Sequence, residues 1–112
     1  MTDDLIFTRQ GALGIITLHR PAALNALSLS MIRGIAAQLK IWEADPSISA
    51  VLFLGAGDRA FCAGGDIKEV WRAGQVVREN PSLSNPMIPY FAEEYRLNRQ
   101  LYHYPKPLIA LM

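Results

Sequence analysis

The sequence predicts a small α/β domain, because apolar runs typical of strands alternate with amphipathic stretches typical of helices. Leu13 to Leu18 is an apolar run rich in β-branched residues, and Ala50 to Leu54 is apolar throughout. Between them, up to about Ala44, apolar residues recur with helical spacing. A length of 112 residues is enough for one such domain with a core, and no second domain is expected.

The first two strands are predicted to form a β-hairpin. Leu5 to Arg9 alternates weakly between apolar and polar residues, Gln10-Gly11 is typical of a turn, and Leu13 to Leu18 follows. His19-Arg20-Pro21 ends the second strand, because proline cannot donate to a central ladder. His19 is therefore interpreted as a polar strand-end residue and not as a ligand.

The first helix is predicted to begin after Ser28 or Ser30 and to end before Asp45-Pro46. One face of it is apolar, which indicates core packing and not a cofactor contact. That face carries Met31, Ile32, Ile35, Ala36, Leu39 and Trp42. The strand Ala50 to Leu54 follows and is predicted to be covered on both faces, because it has no polar side.

A glycine-punctuated loop after this strand is the candidate functional element, and it ends in Gly64-Gly65-Asp66. Adjacent glycines allow a ligand to approach the main chain closely. Asp66 is a good N-cap for a following helix, whose first amides carry the positive end of the helix dipole. Such amides can meet a developing negative charge. From the residues alone, a tight connection with a capped helix and no ligand remains the alternative.

The remainder predicts two helices and a buried strand. The helix from Asp66 ends near Gly74, and residues 75 to 86 form a polar loop. The next helix runs from Met87 or Pro89 to Tyr102. Leu108 to Met112 begins another buried strand.

Glu94 is the unusual residue of the last helix, because it completes an otherwise apolar stripe. The other members of that stripe are Tyr90, Leu97, Leu101 and Tyr104. An unpaired buried carboxylate is costly. Glu94 is therefore paired, at the rim of the core, or functional. Its neighbour Glu93 lies on another face and can pair with Arg96 or Arg99 as an ordinary solvated charge.

Composition excludes several classes of function. The net charge of +1 gives no basic stripe for nucleic acid. The single cysteine, Cys62, excludes an internal disulfide and is compatible with a reducing compartment. No run approaches the roughly 20 apolar residues of a membrane span, and no secretory signal is visible. We therefore expect a cytoplasmic protein that binds neither nucleic acid nor membrane.

Four segments resemble the crotonase (enoyl-CoA hydratase/isomerase) superfamily. Ala60-Phe61-Cys62-Ala63-Gly64-Gly65-Asp66-Ile67-Lys68-Glu69 resembles its first oxyanion-hole segment, and Arg20 to Leu27 resembles its Arg-Pro-x-x-x-Asn-Ala-Leu segment. Three pieces together are most similar to its 3-hydroxyisobutyryl-CoA hydrolase branch: Ala60 to Ile67, Phe91 to Asn98 and Tyr104 to Leu111. Nearly the whole chain aligns with the N-terminal part of the family. The resemblance implies that residues 1–112 are an incomplete piece of a crotonase (ClpP-like) ββα spiral.

The resemblance also implies roles for particular residues. The Gly65 amide would be one oxyanion-hole donor to a thioester carbonyl, and Glu94 would be a substrate-side polar residue. Residues implied to lie along coenzyme A are Ala23, Leu24, Ala63, Gly64, Asp66, Ile67 and Lys68. A solvated surface lysine is the alternative for Lys68, and Asn25 is expected to satisfy its own loop backbone. Coenzyme A is part of the substrate, so no separate cofactor and no metal are expected.

The implied activity is hydrolysis of 3-hydroxyisobutyryl-CoA in valine breakdown, with enoyl-CoA hydration as the alternative. In the family, a second glycine-rich loop and the acid–base residues follow later than the segments matched here, so the 112-residue chain alone is predicted to be inactive. A truncated, non-catalytic interaction module is the alternative of another class. Because the last strand would leave an edge exposed, we expect a homo-oligomer or a complementary C-terminal chain.

Overall fold

A single mixed sheet of four strands organises the part of the chain that the structure describes. This computed structural model describes residues 4–57, 61–62, 64–65 and 87–111. The strands are β1 (Leu5–Gln10), β2 (Leu13–Leu18), β3 (Ala50–Gly55) and β4 (Leu108–Leu111), in that order across the sheet. β1 and β2 are antiparallel, whereas β2–β3 and β3–β4 are parallel. The predicted hairpin and α/β class are confirmed.

Two helices accompany the sheet, α1 (Leu29–Glu43) and α2 (Met87–Tyr102), and a short 3-10 turn spans Pro21–Ala23. Ser28, and not Ser30, is the N-cap of α1, because its hydroxyl accepts a hydrogen bond from the Met31 amide at 3.2 Å. The helix predicted from Asp66 to Gly74 and the loop predicted over 75–86 lie outside the described residues.

The core forms where the apolar face of α1 covers the sheet, as predicted. The buried side chains of α1 are Met31, Ile32, Ile35, Leu39 and Trp42. Against them lie Leu5, Ile16, Leu18 and Val51 of the sheet. The Trp42 ring packs directly on β2, since a Cβ added to Gly14 would stand 2.6 Å from it. Glycine at this strand position therefore makes room for the ring.

β3 and β4 are less covered than predicted. Within the described part of β3, only Val51 is fully buried. In β4, Leu108 packs against the core, but Ile109 is 46% exposed and Leu111 64% exposed. The predictions that β3 is covered on both faces and that β4 is buried are therefore wrong for the described residues. Apolar composition showed that these strands need a cover, but it could not show which segment supplies it.

The two helices are joined by an ion pair that sequence reasoning assigned to other residues. Arg33 of α1 donates to both carboxylate oxygens of Glu93 in α2, at 2.7 and 2.9 Å. Of the two partners that the sequence offered for Glu93, Arg96 contributes a favourable charge interaction, but the hydrogen bonds come from Arg33. A two-pronged guanidinium contact from the neighbouring helix has better geometry than a contact along the same helix.

The Tyr-Pro-Lys-Pro segment after α2 is hydrogen-bonded to the C-terminal end of α1. The Tyr104 hydroxyl donates to the Leu39 carbonyl at 2.6 Å. The Lys106 ammonium donates to the carbonyl oxygens of Trp42 and Asp45. The last carbonyls of a helix lack internal partners and carry the negative end of its dipole, so a cation there is stabilising. Lys106 is therefore a structural residue.

We predict that Lys106→Met lowers the free energy of unfolding by about 1.5–3 kcal/mol, because it removes charged hydrogen bonds to two carbonyls. Urea denaturation followed by circular dichroism measures this change. Lys40→Met is the matched control, since Lys40 lies in the last turn of α1 but is exposed. Equal effects of the two substitutions would contradict the assigned role of Lys106.

Stability is predicted to fall on acidification partly through Glu93. The hydrogen bond from Arg33 holds the pKa of Glu93 below its ordinary value of 4.5, although burial acts in the opposite direction. A depressed pKa in the folded state stabilises the protein above the unfolded pKa, and this contribution is lost as the pH falls through the folded pKa. Melting temperatures measured from pH 7 to pH 3 should therefore fall more steeply below about pH 4.5 for the wild type than for Glu93→Gln. Parallel curves would contradict this contribution.

Candidate functional site

The loop between β2 and α1 is held in shape by one buried side chain. Asn25 is fully buried and has a positive φ of 57°. Its carbonyl oxygen accepts from the Arg20 amide at 2.8 Å, and its amide nitrogen donates to the Ala56 carbonyl at 2.9 Å. The prediction that Asn25 satisfies its own loop backbone is therefore confirmed. The side chain also ties this loop to the end of β3, which sequence reasoning did not anticipate.

A single β-bridge joins this first loop to the diglycine loop. Leu27 pairs in parallel with Gly65, and the Leu27 amide donates to the Gly64 carbonyl at 2.7 Å. Gly64 has a φ of +92°, a conformation that favours glycine. Its amide donates to the Cys62 thiol at 3.3 Å. The bridge therefore brings together two loops that the resemblance assigned to one ligand.

Two side chains of α2 meet the Gly65 backbone. A Cβ added to Gly65 would stand 2.8 Å from the Tyr90 hydroxyl oxygen and 3.3 Å from Glu94 Oε2. Gly65 and Glu94 were predicted to be site residues on separate grounds, and the structure places them side by side. Glu94 is half-buried, so its carboxylate lies at the rim, which was one of its predicted alternatives.

The Gly65 amide makes no hydrogen bond to a backbone carbonyl of the described residues. Among the other predicted site residues, Ala23 and Leu24 are half-buried in the first loop, and Gly64 is exposed. The predicted contacts of Ala63, Asp66, Ile67 and Lys68 lie outside the described residues. The helix predicted to begin at Asp66, whose dipole was expected to favour negative charge at the loop, also lies outside the described residues.

An apolar cavity of about 300 Å³ begins beside the bridge and extends to β4. Leu27 and Cys62 line its end at the bridge, and Leu97 of α2 lines its side. Its volume is at the lower limit of small-molecule sites, and its walls suit an aliphatic group. Sequence reasoning missed this cavity and the contact of Tyr90 with Gly65. The position of Tyr90 one helical turn before Glu94 was the available signal.

Metal binding and membrane insertion find no support in the described residues. No group of three or more His, Cys, Asp and Glu side chains there is arranged to hold a metal ion. Neither described helix has the length and hydropathy to cross a membrane.

Comparison with known proteins decides the family. A sequence model described as enoyl-CoA hydratase/isomerase matches residues 13–112. The chain belongs to this family. Among solved structures, it is similar to a carnitinyl-CoA dehydratase from Mycobacterium thermoresistibile, with a TM-score of 0.85 and 35% identity over 99% of the chain and 31% of that protein. An enoyl-CoA hydratase from Rhodobacter sphaeroides gives a TM-score of 0.84 and 38% identity over 98% and 31%. The crotonase fold is thereby confirmed.

Among curated proteins, this enoyl-CoA hydratase/isomerase family member is similar to the mitochondrial 3-hydroxyisobutyryl-CoA hydrolase of Rattus norvegicus. The two are 46% identical over 99% of the chain and 27% of the relative. The chain thus spans about a quarter of that relative's length, and the predicted resemblance to the hydrolase branch is confirmed. The cytoplasmic prediction is wrong, because the relative is named mitochondrial. A single cysteine fits either compartment, so it could not discriminate between the two.

We predict that Gly65→Ala destabilises the chain by about 1–3 kcal/mol, because the new Cβ overlaps the Tyr90 hydroxyl. In a Tyr90→Phe background the cost should shrink, since the overlapping oxygen is gone. Urea denaturation of the single and double variants measures this coupling. Gly64→Ala is the matched control. A Cβ there meets no atom within 4 Å, so its strain arises only from the positive φ and should be independent of Tyr90. Additive effects of Gly65→Ala and Tyr90→Phe would contradict the described contact.

Proposed function

We propose that this chain supplies the CoA-binding side of the active site of a 3-hydroxyisobutyryl-CoA hydrolase. The observation that carries the proposal is the Gly65 amide, which makes no hydrogen bond to a backbone carbonyl of the described residues and lies beside the Glu94 carboxylate. In the proposed mechanism this amide donates to the thioester oxygen, and the donation strengthens as negative charge develops on that oxygen. One such donor is typically worth about 2.7–4 kcal/mol of transition-state stabilisation.

Glu94 and the apolar cavity would act on the acyl group. A carboxylate only accepts hydrogen bonds when ionised, so Glu94 suits a substrate that carries a hydroxyl donor near its carbonyl. The adjacent apolar walls formed by Leu27 and Leu97 suit the aliphatic part of a short branched acyl chain. Ala23 and Leu24 in the first loop, with Gly64, would lie along coenzyme A. Coenzyme A enters as part of the substrate, and no further cofactor is proposed.

The hydrolase is favoured over the hydratase by the sequence comparisons. The hydrolase relative is 46% identical, whereas the structural relative named enoyl-CoA hydratase is 38% identical. Hydration of an enoyl-CoA uses the same carbonyl donor and remains the second candidate. The acid–base residues come later in the family than the segments matched here. We therefore expect no turnover by the 112-residue chain alone, and thioester cleavage by it would contradict this assignment.

A mitochondrial location is proposed for the protein, in line with the name of its relative. Self-association or a complementary C-terminal chain stays a prediction. Its structural support is the exposed outer edge of β4, with Ile109 and Leu111 partly open to solvent. A non-catalytic interaction module would bind its partner through the same edge. Binding of acyl-CoA by the chain would favour the enzyme over that alternative.

We predict that Glu94→Gln weakens binding of 3-hydroxyisobutyryl-CoA by about tenfold, because a charged acceptor is replaced by a neutral one. Binding of isobutyryl-CoA, which lacks the hydroxyl, should change much less. Isothermal titration calorimetry on the 112-residue chain measures both affinities. Glu93→Gln is the matched control, since Glu93 is adjacent in sequence but pairs with Arg33. If the wild-type chain bound neither ligand, or if both substitutions acted alike, the proposed role of Glu94 would be refuted.

A further inference from the structure

Tyr90 is a buried residue of α2 that reaches into the site through its hydroxyl. It is 4% exposed, and its hydroxyl donates to the Leu27 carbonyl at 2.8 Å. Leu27 is the residue that forms the β-bridge with Gly65. The hydroxyl thus bonds to the carbonyl of the same residue whose amide bonds to the Gly64 carbonyl.

The same oxygen also limits the movement of Gly65. It lies 2.8 Å from the position that a Gly65 Cβ would take, which places it against the Gly65 backbone. A rotation of the diglycine loop towards α2 would therefore collide with the hydroxyl. The hydrogen bond from the Leu27 amide to the Gly64 carbonyl also ties the diglycine loop to the first loop, so the two contacts together restrict the movement of Gly65.

We propose that Tyr90 is a positioning residue that fixes the Gly65 amide through the Leu27–Gly65 bridge. This inference rests on the proposed function, in which that amide donates to the thioester oxygen. Tyr90 itself does not touch the reacting atoms. Preorganised donors stabilise a developing charge without having to reorient during the reaction, so a loosely held amide would be a poorer donor.

Hydrogen exchange in the 112-residue chain tests whether Tyr90 holds the bridge. The Leu27 amide donates to Gly64, so its exchange rate reports opening of the bridge. Tyr90→Phe keeps the ring but removes the donor, and we expect the Leu27 amide to exchange about fivefold faster. Tyr104→Phe is the matched control. It removes a similar bond from a tyrosine hydroxyl to a backbone carbonyl at Leu39, and it should leave Leu27 exchange unchanged.

A second measurement separates positioning from simple support of the fold. Acetyl-CoA has a carbonyl oxygen, whereas S-ethyl-CoA is a thioether without one. The wild-type chain should bind acetyl-CoA more tightly than S-ethyl-CoA. Tyr90→Phe should lose this preference while its affinity for S-ethyl-CoA remains. Incorporation of 4-aminophenylalanine at position 90 keeps a donor at the same ring position and should restore the preference.

The outcomes distinguish this inference from the proposed function. Unchanged Leu27 exchange or an unchanged ligand preference in Tyr90→Phe overturns the positioning role. Loss of protection throughout the β1–β2 ladder in Tyr90→Phe, without restoration by 4-aminophenylalanine, overturns it as well, because Tyr90 then supports the fold as a whole. A wild-type chain without any preference for acetyl-CoA refutes the oxyanion role of Gly65 instead. Leu27 exchange then still decides whether Tyr90 holds the bridge.

Discussion

The candidate site depends on the close approach of other groups to Gly65, a residue that has no side chain. These groups are the Leu27 backbone, which is bridged to Gly65, and the side chains of Tyr90 and Glu94, which lie beside the Gly65 backbone. Any Cβ at this position would occupy the space of the tyrosine hydroxyl, so the contact exists only because position 65 is glycine. Glu94 lies beside the same glycine, and the apolar cavity begins at Leu27, its partner in the bridge.

The framework that supports this contact is built from polar anchors to carbonyl groups. Asn25 ties the first loop to the end of β3, and Tyr104 and Lys106 tie the segment after α2 to the end of α1. Each anchor donates a side-chain hydrogen bond to a backbone carbonyl of another segment. The motifs shared with the family are therefore partly structural. Lys106 binds carbonyl groups at the end of α1, and Asn25 holds the shape of the first loop.

Elements with strong periodicity were predictable from the sequence, because one local pattern determines each of them. The hairpin, the buried face of α1 and the bounds of α2 belong to this class. Glu94 was also identifiable, since a carboxylate on an apolar stripe conflicts with simple core packing. The partners of these residues were not predictable in the same way. The pairing of Glu93 with Arg33 and the contact of Tyr90 with Gly65 join separate elements, and no local spacing encodes them.

The bond between Tyr90 and Leu27 has a consequence for the order of folding. It connects residues separated by 63 positions. Closing a loop of this length has an entropic cost that must be met before the bond can contribute. The β1–β2 hairpin needs only a short turn and can form earlier. The pocket around Gly65 is thus expected to be among the last parts of the chain to assemble. A partly folded molecule would retain the hairpin but would not bind an acyl-CoA. Ligand affinity would therefore be a stricter measure of complete folding than the secondary-structure content is.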